Sequence, residues 1–204
     1  MRTPKVRELG EALRSLFSKP YTVRYPYEPV IAPEAFRGKP KFIDEECIGC
    51  GACAQVCPAR AIDVRDVVEG GSGVRTMTVH HDHCVFCGQC HRYCTTEEGI
   101  ILTNEYETGT YDRNLAISSV DKELVVCQEC GEVIATVDHL RWVARKLGAK
   151  AFGNMGLALL LSKDLGLVAP LTRDPERPLD RGDNISLLCP RCKREVILYE
   201  QWGP

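Results

Sequence analysis

The chain has 204 residues, with 26 Lys and Arg against 28 Asp and Glu and a formal net charge of −2. That length fits one large or two small domains, and the near-neutral balance gives no support to bulk electrostatic binding of nucleic acid. No run of about 18 apolar residues is present, so no bilayer span is expected.

The N-terminus is charged and lacks an apolar core followed by a cleavage site, so no secretory leader is expected. Residues 4–18 read as an amphipathic helix. Val6, Leu9, Leu13, Leu16 and Phe17 recur near the helical period, Lys5, Arg7 and Arg14 mark the polar face, and Pro20 stops it. From Tyr21 to Pro40 the text changes character. Pro26, Pro29, Pro33 and Pro40 forbid a regular helix and favour an extended arm. An arm so rich in aromatic and apolar residues is costly to leave in water. It is expected to lie on a surface, its own or a partner's. Residues 1–41 therefore form a helix and docking arm, 42–110 a first domain, and 111–204 a second.

Residues 42–103 hold a cysteine repeat. Cys47, Cys50, Cys53 and Cys57 stand at intervals of three, three and four, and the pattern returns at Cys84, Cys87, Cys90 and Cys94. The two runs superpose at a shift of 37, with Gly51 on Gly88. Three closely spaced thiolates and a fourth in a following turn cannot wrap one cube-shaped cluster without strain. In the bacterial two-cluster arrangement the fourth cysteine crosses to the other cluster. One [4Fe–4S] cluster is accordingly assigned to Cys47, Cys50, Cys53 and Cys94, and the other to Cys84, Cys87, Cys90 and Cys57. Two zinc sites, or eight thiols free in a core, are the blander alternative, and two pseudo-symmetric copies of one spacing argue against it. Neither run offers a non-cysteine ligand or an open iron position, so this is wiring and no catalytic residue is assigned. Thr95 stands where a proline is expected after Cys94, and the second run carries an extra residue before Ile100.

Between the runs, Val64 and Val68 face Val74, Met77 and Val79 across Gly70-Gly71-Ser72-Gly73, a hairpin pattern. Residues 104–126 are polar at first and turn apolar toward Leu124-Val125-Val126. The last unit opens at Cys127-x-x-Cys130-Gly and closes with Cys189-Pro-x-Cys192. Four thiolates on two tight turns suit a closed tetrahedral Zn²⁺ site of zinc-ribbon type. A rubredoxin-type iron would use the same geometry. The separation of the two knuckles is long, and a helical insert accounts for it. Asp138 is expected to cap a helix using Leu140, Val143, Ala144 and Leu147, with Gly148 just past its end. A second helix follows Asn154, and residues 170–184 read as a loop. All twelve cysteines fall in these patterns, so without an export signal metal ligation is favoured over disulfides.

"LFSKPYTVRYPYEP", "FRGKP" and the paired motifs with "CVFCGQC" closely resemble the two-cluster iron–sulfur subunit of respiratory complex I. They resemble equally its relatives in membrane-bound [NiFe] hydrogenases, the formate hydrogenlyase complex among them. The resemblance covers residues 10–105. It implies an α+β, ferredoxin-like βαββαβ core docked between other subunits on the cytoplasmic side of a membrane, peripheral to it. It also implies an N-terminal helix and arm that tie the subunit to its neighbours. The complex I subunit lacks a cysteine-bearing extension, whereas hydrogenlyase-type relatives resemble this chain in carrying paired cysteines after the clusters. That tips the expectation toward a hydrogenase-type complex.

Other residues invite a role. His80, His81 and His83 beside Cys84 could couple protonation to the redox state, against the plainer reading of a polar loop. Arg60, His91 and Arg92 lie within the cluster segments and fit a solvated face equally well. Trp142 fits core or interface, and the first helix fits a neighbouring subunit better than lipid. A free-standing ferredoxin with a zinc-ribbon interaction domain is the alternative of another class. A self-contained oxidoreductase is disfavoured because no Gly-rich nucleotide loop follows a strand.

Overall fold

The computed structural model describes residues 5–28, 30–167 and 181–198. It divides into two units, Met1–Ala35 and Phe36–Pro204. In the first, α1 (Val6–Phe17) starts where Glu8 Oε2 accepts from the Lys5 backbone N–H at 3.3 Å and ends before Ser18 turns extended. None of its residues is buried, and the described residues after it, to Ala35, contain neither helix nor strand.

In the second unit the chain runs β1 (Pro40–Phe42), α2 (Ala52–Gln55), β2 (Ile62–Glu69), β3 (Ser72–His80), α3 (Gln89–Arg92) and β4 (Ile100–Leu102). This is the expected βαββαβ order of a ferredoxin-like core. β1 and β4 pair antiparallel, Phe42 opposite Ile100. β2 and β3 form the hairpin from Ile62↔Val79 to Glu69↔Ser72. Its turn is the pair Gly70-Gly71 at φ 57° and 89°, which a primed two-residue turn requires.

Beyond the boundary expected at residue 110, β5 (Ile117–Val126) pairs with β3 from His80↔Ile117 to Gly73↔Leu124, and β6 (Val133–Thr136) pairs with β5. A four-stranded antiparallel sheet β2-β3-β5-β6 therefore runs from the cysteine repeat into the last unit. The core between the two cysteine runs is built from Phe42, Ile62, Met77, Val79, Ile100 and Val120, with Cys47 and Cys53 among them.

The expected helical insert is α4 (Val137–Leu147) and α5 (Met155–Asp164). Asn154 caps α5, its side chain accepting from Leu157 N. The cap of α4 is Thr136 rather than Asp138. The Thr136 hydroxyl accepts from His139 N at 3.2 Å, which places Asp138 inside the first turn, where its carboxylate suits the helix dipole. Gly148, at φ 56°, ends α4. Of the expected loop 170–184, residues 170–180 lie outside the described residues, and the chain resumes in a short 3₁₀ turn, Arg181–Ile185. The second knuckle then opens a helix, α6 (Pro190–Leu198), where a zinc ribbon would continue as a strand.

Candidate metal centres

The two cysteine runs are laid out by matched backbone torsions. Gly49 and Phe86, Gly51 and Gly88, and Arg60 and Glu97 each stand 37 residues apart, and all six have positive φ. Gly51 and Gly88 open the short helices that carry Cys53 and Cys90. The extra residue of the second run falls after the last matched pair, so it leaves the cysteine positions undisturbed.

The fold brings the cysteines together in crossed sets. Cys47, Cys50, Cys53 and Cys94 line one open cavity of about 290 Å³, walled by Phe42, Met77 and Ile100. Cys84, Cys87, Cys90 and Cys57 line another of about 370 Å³, walled by Ile62, Val79 and Leu102. Burial in these apolar walls pushes the Cys53 thiol up to about 12 and the Cys90 thiol up to about 11, and raises Cys47 and Cys84 as well. Thiols so reluctant to ionise become thiolates when a metal centre supplies the compensating charge. Donors stand at several sulfurs. Ala61 N donates to Cys57 Sγ at 3.2 Å, Phe86 N lies 3.4 Å from Cys84 Sγ, and the Thr95 hydroxyl lies 3.3 Å from Cys50 Sγ.

Behind the first run sits a group of residues that sequence reasoning missed. Lys122 of β5 is buried, its Nζ 2.8 Å from Asp44 Oδ1, 3.3 Å from Asp138 Oδ2 and donating to Asp44 O at 2.6 Å. Arg75 of β3 holds Asp66 in a two-pronged pair, both contacts at 2.7 Å, and donates from Nη1 to Gly49 O at 2.9 Å. That pairing draws the Asp66 carboxyl below its ordinary value. Thr136, buried at the end of β6, donates its hydroxyl to Ile48 O. One signal was present. In β5 the inward positions are Val120, Lys122 and Leu124, so a lysine occupies the apolar slot of an alternating strand.

The last four cysteines converge. Cys127 follows β5, Cys130 lies in the turn before β6, and Cys189 and Cys192 stand at the start of α6. Their sulfurs all lie within 4.8 Å of one another, and Cys130 Sγ is 3.7 Å from Cys189 Sγ. A tetrahedral ion with bonds of ~2.3 Å separates its sulfurs by about 3.8 Å. The spacing thus fits a single ion. The knuckles are joined by Gln128 N to Leu187 O and Leu187 N to Gln128 Oε1, each 2.9 Å. Despite burial, backbone N–H groups of Cys130 and Cys189 hold Cys127 below the ordinary thiol value, while burial raises Cys189 and Cys192.

The remaining candidates take ordinary places. His80 Nε2 lies 3.0 Å from Asp63, and His83 is 3.8 Å from Asp82. His81 is buried, with Nε2 2.8 Å from Ser118 Oγ, and burial lowers its pKa. His91 Nδ1 is 2.9 Å from Ile100 O, Arg92 lies over the Tyr93 ring, Arg60 takes its place among the matched torsions, and Lys146 lies over Trp142. Among the described residues, no helix is long and apolar enough to cross a membrane.

A 4Fe-4S dicluster domain family matches residues 46–97, so the first eight cysteines belong to an iron–sulfur-binding domain. NAD(P)H-quinone oxidoreductase subunit I of Gloeobacter violaceus is 36% identical over 109 residues, 52% of this chain and 52% of the relative. NADH-quinone oxidoreductase subunit I 2 of Geobacter metallireducens is 30% identical over 116 residues, 54% of this chain and 88% of the relative. Formate hydrogenlyase subunit 6 of Escherichia coli is 33% identical over 114 residues, 56% of this chain and 62% of the relative. The chain spans about half the length of the Gloeobacter subunit it matches.

Proposed function

The chain belongs to the family of iron–sulfur subunits that includes NADH-quinone oxidoreductase subunit I and formate hydrogenlyase subunit 6, and from that premise we propose that it relays electrons within a membrane-associated redox complex. Two [4Fe–4S] clusters carry the electrons. One is held by Cys47, Cys50, Cys53 and Cys94, the other by Cys84, Cys87, Cys90 and Cys57. The observation that carries this reading is the crossed lining of the two cavities, three cysteines from one run and the fourth from the other. Held by segments of chain that the two sets share, such clusters would supply one-electron transfer without a bond being made or broken. The chain itself has no catalytic residue in this reading. The chemistry at either end of the relay belongs to neighbouring subunits, on the cytoplasmic side of the membrane.

The hydrogenase type of complex is favoured over the quinone-reductase type because a third, cysteine-only metal site follows the clusters. That site is a structural zinc held by Cys127, Cys130, Cys189 and Cys192, supported by sulfur spacing suited to one tetrahedral ion and by knuckles already hydrogen-bonded to each other. A mononuclear iron is the second reading, favoured by the same spacing. Isolation of the intact assembly tests the function: the chain should co-purify with a hydrogenase-like catalytic subunit. Migration alone as a small ferredoxin would defeat the proposal. X-ray fluorescence on the same sample distinguishes zinc from additional iron.

A further inference from the structure

We propose that the two clusters are unequal, and that Lys122 and Thr95 make the cluster held by Cys47, Cys50, Cys53 and Cys94 the first to be reduced. The inference rests on the cluster reading above and adds an order to it. Reduction places one electron, from a one-electron donor such as a neighbouring iron–sulfur centre, on iron. No bond breaks, and the site gains one negative charge. Any fixed positive charge or hydrogen-bond donor at the sulfurs favours that step.

The difference between the sets lies in the buried charge, which only the first has, and in a hydroxyl donor that the second lacks among its contacts. Lys122 is the only buried Lys or Arg among the described residues. Its stem packs on the loop between Cys47 and Cys50, since a Cβ added at Gly49 would meet Lys122 Cβ and Cγ at 3.1 Å. Its nearest carboxylate, Asp44, is 74% exposed, so water screens the negative end of the pair while the positive end is buried. Asp138, the other partner, is shared with Arg141 at 3.3 Å. On the same loop, Arg75 donates to Gly49 O.

Thr95 adds a donor. A metal-bound sulfur carries no hydrogen, so across the 3.3 Å to Cys50 Sγ the hydroxyl donates. The proline expected after Cys94 could not do this. Thr96 is different: its hydroxyl already donates to Glu46 O and accepts from Gly99 N, so its 3.4 Å approach to Cys94 Sγ adds no donor. At the second set, Arg37 Nη1 approaches the Cys87 carbonyl at 3.4 Å. The backbone donors Ala61 N and Phe86 N serve two of its sulfurs. No buried lysine or arginine stands behind it among the described residues.

The test is a potentiometric titration of the anaerobically prepared full chain, followed by electron paramagnetic resonance, with Cys50→Ser and Cys87→Ser used to assign the two signals. The signal of the first set is expected at the higher potential. Lys122→Met should cut its reduced-to-oxidised ratio at fixed potential about tenfold, ~59 mV for one electron, and leave the second signal in place. Lys122→Arg should keep the parent value, and Thr95→Val should shift the first signal the same way by less. Asp44→Asn, a change at an exposed carboxylate, should shift it upward and serves if Lys122→Met does not fold. Equal potentials, the reverse order, or a Lys122→Met shift common to both signals would overturn the inequality while leaving two clusters in place. Acid-labile sulfide for one cluster only, in the unsubstituted chain, would overturn the cluster reading and the inequality with it.

Discussion

Replacing Thr136 by valine should destabilise the second unit by about 3 kcal/mol. The side chain is fully buried, and its hydroxyl serves two elements at once. It accepts from His139 N at 3.2 Å, capping α4, and donates to Ile48 O in the loop between Cys47 and Cys50. Valine keeps the branched shape that packs against Gly49 and deletes only the hydroxyl. Loss of a cap of this kind costs about 0.5–2 kcal/mol. A buried carbonyl left without its donor costs about 1–3 kcal/mol more, and Ile48 is itself buried. For a chain of this size each kcal/mol moves Tm by roughly 2–4 °C, so a fall of roughly 6–12 °C is expected. Circular dichroism of the cluster-loaded chain under anaerobic conditions reads it. Thr136→Ser, which retains the hydroxyl, should recover most of the loss. A valine variant within about 1 kcal/mol of the parent would show that neither hydrogen bond contributes as argued.

Crossed ligation gives a second expectation. Cys57→Ser should disturb the signal assigned to Cys84, Cys87 and Cys90 although it belongs to the first run, and a change confined to the other signal would refute the crossing. Cys130→Ser should release the metal of the last site, measured by X-ray fluorescence, and weaken the β5–β6 end of the sheet in hydrogen exchange. Retention of a stoichiometric ion would refute the four-thiolate assignment. His81 sets a pH dependence. Burial lowers its folded pKa below 6.5, so the unfolded chain binds the proton more tightly. The stability it contributes is present above 6.5 and is lost as pH falls through that value toward the folded pKa. His81→Gln should flatten this part of the Tm–pH profile, and an unchanged slope would exclude His81 as its source.

Much of the site was legible because its signals are local. The cysteine spacing, the Gly70-Gly71 turn and the start of α5 after Asn154 each depend on residues a few positions apart, and each stands where the sequence placed it. What the sequence did not reveal is the sheet that binds the last unit to the first. β5 meets β3 across the 36 residues of intervening chain, 81–116, and nothing in residues 117–126 names its partner. Lys122 was passed over for the same reason: its charge has meaning only once Asp44, Asp138 and the Gly49 loop surround it. The misplaced α4 cap is a smaller case. Thr136 and Asp138 both suit a helix start, and only the strand that delivers Thr136 to Ile48 selects between them.

The matched torsions of the two cysteine runs point to how such a domain can arise. A half-length segment, copied once and joined to itself, would carry its left-handed turns along with its ligands. Side chains could then differ, as phenylalanine does opposite Gly49 and glutamate opposite Arg60, provided the bends survived. Each bend away from glycine carries a standing cost of about 1–2 kcal/mol, borne at Phe86, Arg60 and Glu97. The heritable unit is therefore a path of the main chain around an inorganic core, and ancestry here is better traced in dihedral angles than in letters.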